Sequence, residues 1–173
     1  MNQHIEPNHV ARPERDRLEP DWRRWHHWLA FGLGSGLAPK APGTWGTLAA
    51  VPLYLLLSPL PIGVYLAVVA ALFALGIWVC GETARDLGLD DPSAIVWDEW
   101  VGLLVTLALA PDGWGWLLVG FGLFRLFDIV KPWPIRFLDR SVHGGLGIMI
   151  DDVVAGLMAW LVLQGAVLVV ALA

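Results

Sequence analysis

Ile62-Gly-Val-Tyr-Leu-Ala-Val-Val-Ala-Ala-Leu-Phe-Ala-Leu-Gly-Ile-Trp-Val-Cys80 is a run of 19 residues without a charge. Wound as an α-helix it covers about 28 Å, close to the ~30 Å hydrocarbon thickness of a bilayer. Val153–Ala173 adds 21 uncharged residues of the same character. Three shorter apolar stretches lie between and before them. These are Trp45–Leu57, with Pro52 inside it; Val101–Ala110, which extends back through Ile95–Trp97; and Trp114–Phe124, which continues toward Val130. The expected fold is all-α. It is a multi-helix membrane bundle of about four to five apolar segments, some of them short or re-entrant.

Composition agrees. Of 173 residues 57% are hydrophobic and 16% charged, and the mean hydropathy is +0.61. A water-soluble chain of this length has too little interior to hide that much apolar surface. Eleven tryptophans point the same way, because Trp collects at the headgroup level. The single cysteine, Cys80, excludes an internal disulfide and a cysteine metal cluster. The net charge of -5 carries little information, because the charges are unevenly placed.

Met1 to Arg24 is polar and rich in Pro, Arg and His, and is no secretory signal. It is expected to be a disordered tail. Trp22, Trp25 and Leu29 share a helical face and predict a short helix lying on anionic lipid, unless the stretch simply continues the tail. The division expected is a disordered or interfacial segment over 1–28 and one helical membrane domain over 29–173.

The connections alternate. Ser58–Pro61 and Pro111–Gly113 are tight and carry no Lys or Arg, whereas 12–40, 82–99 and 125–152 hold nearly all the charge. Lys and Arg mark the cytoplasmic side. The expected topology therefore puts the N-terminus inside, both tight turns and the C-terminus outside, and three charged regions at one membrane face.

Four motifs lie in those regions. Phe31–Thr47 contains Gly32, Gly34, Gly36, Gly43 and Gly46 and then enters an apolar helix. Such a turn can offer backbone N–H groups to an anion, with Thr44 or Thr47 as cap and Lys40 as a point charge. From the glycines alone, a turn-rich loop leading into the membrane explains it as well. Asp98 and Glu99 stand between apolar neighbours, where an unpaired carboxylate is costly; helix-end capping is the plainer reading. Arg125 and Asp128 have i, i+3 spacing, which also fits an ordinary ion pair, and Pro132 and Pro134 stop their helix. Asp151 and Asp152 stand at the head of the last apolar helix, where a single Asp would be a cap.

Five carboxylates at one face repel unless a cation neutralises them, and hard oxygen ligands suit Mg²⁺. Lys40, Arg125 and Lys131 can hold phosphate oxygens, Arg bidentately and Lys as a point charge. Metal-assisted phosphoryl chemistry at a lipid interface is one reading. A small cation transporter, whose acids would spread along the helices, and an inactive structural bundle are the others. Other phosphatase chemistries lack their residues. Asp86 stands where a cysteine-phosphatase loop starting at Cys80 needs Arg, no Asp-x-Asp-x-Thr/Val motif occurs, and His143 is the only histidine beyond the tail.

In order and spacing, Gly34–Gly46, Asp98-Glu99 with Val101-Gly102, Phe124–Ile135 and Gly145–Gly156 resemble the phosphatidylglycerophosphatase A family. The resemblance covers about Phe31 to Gln164. It implies Mg²⁺-dependent hydrolysis of phosphatidylglycerophosphate to phosphatidylglycerol and phosphate at the cytoplasmic leaflet of a bacterial inner membrane. The family has soluble all-helical relatives; the two full-length apolar spans put this chain in the membrane branch. Carried over, Asp98, Glu99, Asp128, Asp151 and Asp152 are the candidate catalytic residues and metal ligands. Lys40, Thr44, Arg125 and Lys131 are the candidate substrate-binding residues. With no nucleophile besides carboxylates, direct attack by water is favoured over a phosphoenzyme. A phospholipid substrate and membrane lipid are the implied partners; no nucleic acid or protein partner is implied.

Overall fold

The computed structural model describes residues 20–173, and among them it contains helices and no strand. The disorder expected of the tail falls mostly on residues 1–19, outside the described part. Seven α-helices follow in order: α1 Trp25–Ala30, α2 Pro42–Leu57, α3 Ile62–Leu87, α4 Trp97–Thr106, α5 Trp114–Val130, α6 Ile135–Ser141 and α7 Gly144–Leu172. A short 3₁₀ segment, Gly32–Leu37, carries the chain from α1 toward α2.

All five apolar stretches become helices, but their lengths differ. Only α3 and α7 are long and apolar enough to cross a bilayer among the described residues. In each, 22% of the most apolar window is buried against the rest of the chain, so most of that surface faces outward. A core helix of a soluble domain would be mostly covered. At 16, 10 and 17 residues, α2, α4 and α5 are shorter. A bundle of four or five full spans therefore does not follow from these lengths.

The centre belongs to the shortest of the three. Helix α4 packs against α2, α3, α5 and most extensively α7. Trp97, Trp100, Val101, Leu103 and Leu104 are all buried on it. Its close approach to α7 is made by glycine. A Cβ at Gly156 would stand 2.5 Å from the Gly102 carbonyl oxygen and 3.2 Å from Val105 Cβ. The Thr106 hydroxyl lies 2.9 Å from the Gly102 carbonyl oxygen and 3.3 Å from that of Gly156, bridging the two helices. Polar tips elsewhere in the bundle also end on backbone. Tyr65 donates to Leu104 O at 2.6 Å, and Trp97 Nε1 to Leu72 O at 3.1 Å. An unpaired donor inside an apolar bundle would cost several times what such a bond contributes.

Helix α7 starts earlier than its apolar run. The sequence places Asp151 and Asp152 at a helix head; in the structure the helix begins at Gly144, and the two acids lie two turns inside it. The reason is packing. At Gly145 a Cβ would strike the Ile77 carbonyl oxygen of α3, so this glycine-rich stretch is a helix–helix contact and not a loop. Asp151 and Asp152 are consequently not caps.

The short helix expected near Trp22–Leu29 is present as α1, with a different orientation of its polar residues. His27 is buried, and Trp22, Trp25 and Trp28 are exposed. Asp86 Oδ2, at the end of α3, accepts from Arg24 Nη1 at 2.5 Å and lies 3.0 Å from His26 Nε2 and 3.2 Å from His27 Nε2. The backbone N–H of Asp21 donates to His27 Nδ1, so Nε2 carries the proton in the neutral ring and donates to Asp86. Trp25 stacks on Trp78 of α3 with centroids 5.2 Å apart.

Because Gly102 and Gly156 set the α4–α7 distance, Gly156→Leu should destabilise the protein by about 1–3 kcal/mol through overpacking. Thermal unfolding of purified protein in detergent measures this. An unchanged Tm would mean the two helices do not approach as described.

Candidate active site

At one end of the bundle the start of α2, the 90–98 segment, the end of α5, α6 and the first turns of α7 surround a cavity of about 300 Å³. Its wall includes all five expected carboxylates together with Arg125 and Lys131. Charged regions far apart in sequence are thus gathered at one end, as the pattern of connections required. Asp90, Asp91 and Asp139 add three more carboxylates, so eight acids face two permanently cationic side chains.

The residues fall into three groups. In the first, Asp98, Glu99 and Asp152 each offer an oxygen within 4.8 Å of the others. Glu99 and Asp152 are buried. Asp98 Oδ1, Glu99 Oε2 and Asp152 Oδ2 are all sequestered and without a hydrogen-bond partner. Asp98 and Glu99 come from the first turn of α4, and Asp152 faces them because Gly102 and Gly156 let α7 come close. Buried like charges with open lone pairs cost several kcal/mol each unless neutralised, on the order of magnitude known for such groups. Three hard oxygen donors converging in this way fit a divalent cation such as Mg²⁺.

The second group is built on Arg125. Its Nη1 lies 2.5 Å from Asp128 Oδ2, one turn along α5, and 3.8 Å from Glu99 Oε1. It also reaches Thr47 Oγ1 at 3.5 Å. Arg125 Nε is buried and has no partner. The guanidinium is therefore fixed against one wall while part of its donor set stays open.

The third group is built on Lys131, the residue that ends α5 with φ 44°. Its Nζ stands between Asp139 Oδ1 at 2.5 Å and Asp151 Oδ2 at 2.7 Å. Burial opposes the ammonium charge, but the hydrogen bonds of Asp139 and Asp151 outweigh it and raise the Lys131 pKa above the ordinary lysine range. Lys131 is a cation at every physiological pH.

The glycine-rich motif contributes through backbone. Ala41, Pro42 and Gly43 line the cavity; Lys40 and Thr44 do not. Lys40 is exposed, one residue from the wall, and Thr44 is half-buried. Neither Thr44 nor Thr47 caps α2, whose N-terminal flank Ala41 is left-handed and makes no side-chain bond to the helix. Instead Thr47 donates back to Gly43 O at 2.8 Å and turns its oxygen toward Arg125. Gly43 lies directly under the charged tips: a Cβ there would meet Glu99 Oε1, and the two Arg125 terminal nitrogens at 3.0 Å, so an added methyl shifts those side-chain ends.

Sequence reasoning missed Asp90, Asp91, Asp139 and His143 as cavity residues. Asp91 and Asp139 sit inside charged regions already recognised, but no periodicity distinguishes them from solvated acids. His143 flanks the start of α7 on the cavity wall.

The family model described as Phosphatidylglycerophosphatase A matches residues 28–167. The chain belongs to the phosphatidylglycerophosphatase A family. Membership makes it a phosphatase. It is 51% identical over 134 residues to the Escherichia coli phosphatidylglycerophosphatase A, covering 77% of this chain and 78% of that one. The Haemophilus influenzae phosphatidylglycerophosphatase A is 49% identical over 138 residues, 79% of this chain and 85% of its own. A Bacteroides thetaiotaomicron relative, provisionally named a phosphatidylinositol-3-phosphatase, is 41% identical over 149 residues, 80% of this chain and 91% of its own. No solved structure matches the chain.

Gly43→Ala tests the cavity geometry directly. The added methyl must displace Glu99 or Arg125, and misplacing a charge-stabilising group by an ångström costs about a hundredfold in rate. Phosphate release should fall to that extent with the thermal unfolding profile little changed. Wild-type turnover in Gly43→Ala would show that α2 does not press on the site.

Proposed function

We propose that this chain hydrolyses phosphatidylglycerophosphate to phosphatidylglycerol and inorganic phosphate, with Mg²⁺, at the cytoplasmic face of a bacterial inner membrane. The observation that carries the reading is the grouping in one cavity of three carboxylates, each with a buried oxygen that lacks a hydrogen-bond partner, with Arg125 and Lys131, in a chain of this family. Anion-holding cations beside a cation-holding carboxylate cluster suit a phosphate monoester. The acids gather at one end of the helices, which speaks against a cation pathway running through the bundle.

In this reading Asp98, Glu99 and Asp152 would hold Mg²⁺, which supplies Lewis-acid neutralisation of phosphate charge when bound. Arg125 and Lys131 hold the phosphoryl oxygens, and Asp128 keeps the guanidinium aimed. Water attacks phosphorus, the bond from phosphorus to the glycerol oxygen breaks, and the departing oxygen takes a proton. A carboxylate of the cavity accepts the proton lost by the water and passes it to the departing glycerol oxygen. Lys40, exposed beside the cavity, meets the phosphate only as it enters. The outward-facing apolar sides of α3 and α7 sit in lipid, which keeps the cavity at the headgroup level where the substrate phosphate lies.

Phosphate release from phosphatidylglycerophosphate in detergent micelles should be abolished by EDTA and restored by Mg²⁺. Asp152→Asn should lower turnover by about a hundredfold or more, equivalent to ~3 kcal/mol. Phosphatidylinositol 3-phosphate is the comparison substrate, given the name of the Bacteroides relative. Equal or faster release from that lipid would overturn the substrate assignment, and EDTA-insensitive turnover the metal assignment.

Orientation is tested separately. In intact cells expressing a Cys80→Ser background, a membrane-impermeant thiol reagent should modify Ser58→Cys and spare Ser93→Cys. Labelling in the reverse pattern would place the cavity on the outer side.

A further inference from the structure

We propose that Asp139 is a positioning residue that keeps the Lys131 ammonium at the phosphate-holding wall of the cavity, anchoring it when Asp151 releases it; this rests on the phosphatase reading above. The two cations of the site are held differently. Arg125 has its anchor on its own helix, Asp128, one turn away at 2.5 Å. Lys131 is held from other helices. It flanks the end of α5 in a left-handed conformation, Asp128 of the preceding turn is paired with Arg125, and the ion pairs of Lys131 run to α6 and α7. Its anchor on α6 is Asp139, whose Oδ1 lies 2.5 Å from Nζ.

The partners of Lys131 are unequal. The Asp151 side chain is 9% exposed and adjoins Asp152 on α7, next to the carboxylate cluster; that of Asp139 is 34% exposed and lies outside that cluster. Before substrate arrives, Lys131 is the counter-ion of Asp151. An ammonium has three N–H donors, and here two are committed. When a phosphate enters, Lys131 must turn at least one donor toward it, and the bond to Asp151 is the one facing the cavity interior. A lysine stem without a second anchor would swing into several rotamers at that moment. Asp139 removes that freedom at the outer side, so the ammonium pivots rather than leaves.

The pair is partly exposed, so its contribution to stability is small, and loss of Asp139 strands no buried charge. Its effect should appear in substrate binding. Asp139→Asn should raise KM for phosphatidylglycerophosphate about tenfold, as expected for loss of one charge-assisted hydrogen bond, with kcat nearly unchanged. Inorganic phosphate should become a weaker product inhibitor by a similar factor. Asp139→Glu, which keeps the charge, should recover most of the loss. In a Lys131→Met background the same Asp139→Asn change should do nothing further, because the residue acts through the lysine.

Wild-type KM in Asp139→Asn, or full additivity with Lys131→Met, overturns the proposal while leaving the phosphatase reading intact. An inactive wild-type enzyme on this lipid overturns both. Should Asp139→Asn fail to fold, Asp139→Ser and Asp139→Glu carry the same comparison, and a raised KM in the first with recovery in the second supports it.

Discussion

The carboxylates of Asp98, Glu99 and Asp152 converge within 4.8 Å in a bundle whose surface is otherwise largely apolar. Like charges so close, with oxygens cut off from water, repel strongly and lack partners. Everything around them manages that repulsion. Arg125 and Lys131 bring positive charge to the same end, Asp128 and Asp139 hold those cations in place, and the helices that carry the acids are locked together by backbone contact instead of flexible side chains. The electrostatic demand is local; the fold that meets it extends along the whole chain.

Helix α4 shows how the demand shapes architecture. Ten residues give it a length of about 15 Å, half the thickness of a bilayer core. It is short because its task is to deliver Asp98 and Glu99 from the interior of the bundle, wrapped by α2, α3, α5 and α7. The backbone just beyond its end is not left bare: Ala108 O accepts from Trp160 Nε1 at 2.8 Å and from Gln164 Nε2 at 3.1 Å. A half-length helix inside an apolar bundle is stable only where its freed carbonyls find such donors.

Much of this was legible in the sequence, for physical reasons that differ from part to part. Uncharged runs of 19 and 21 residues are long enough for helices that could cross a bilayer, so the apolar parts of α3 and α7 were readable from length and composition. The alternation of charged and uncharged connections was enough to bring Asp98, Asp128 and Asp151 to one end. Pairing was harder. The spacing of Arg125 and Asp128 lies within one helix and could be read, whereas Lys131 with Asp139 depends on a left-handed residue and a proline turn, which no periodicity encodes. The start of α7 was placed too late: Asp151 and Asp152 read as a helix head, yet Gly145 is already helical and lets α7 lie against α3. Lys40 and Thr44 of the glycine-rich stretch lie off the cavity wall, where Ala41, Pro42 and Gly43 stand, and the Thr47 hydroxyl of the same stretch lies behind it against Arg125.

The attachment of α1 has a mechanical character unlike the rest. The larger helices are bonded to one another over broad apolar faces, so their cohesion is spread across many weak contacts and erodes gradually when any one is lost. Helix α1 is riveted. Three side chains from a single turn, those of Arg24, His26 and His27, meet a single oxygen of Asp86, and the rings of Trp25 and His26 lie against Trp78 beside it. One acceptor serves all three, so a change at Asp86 alone is felt by every one of them, while Val96 N–H donating to Ala30 O at 2.8 Å fastens the other end of α1 to the core.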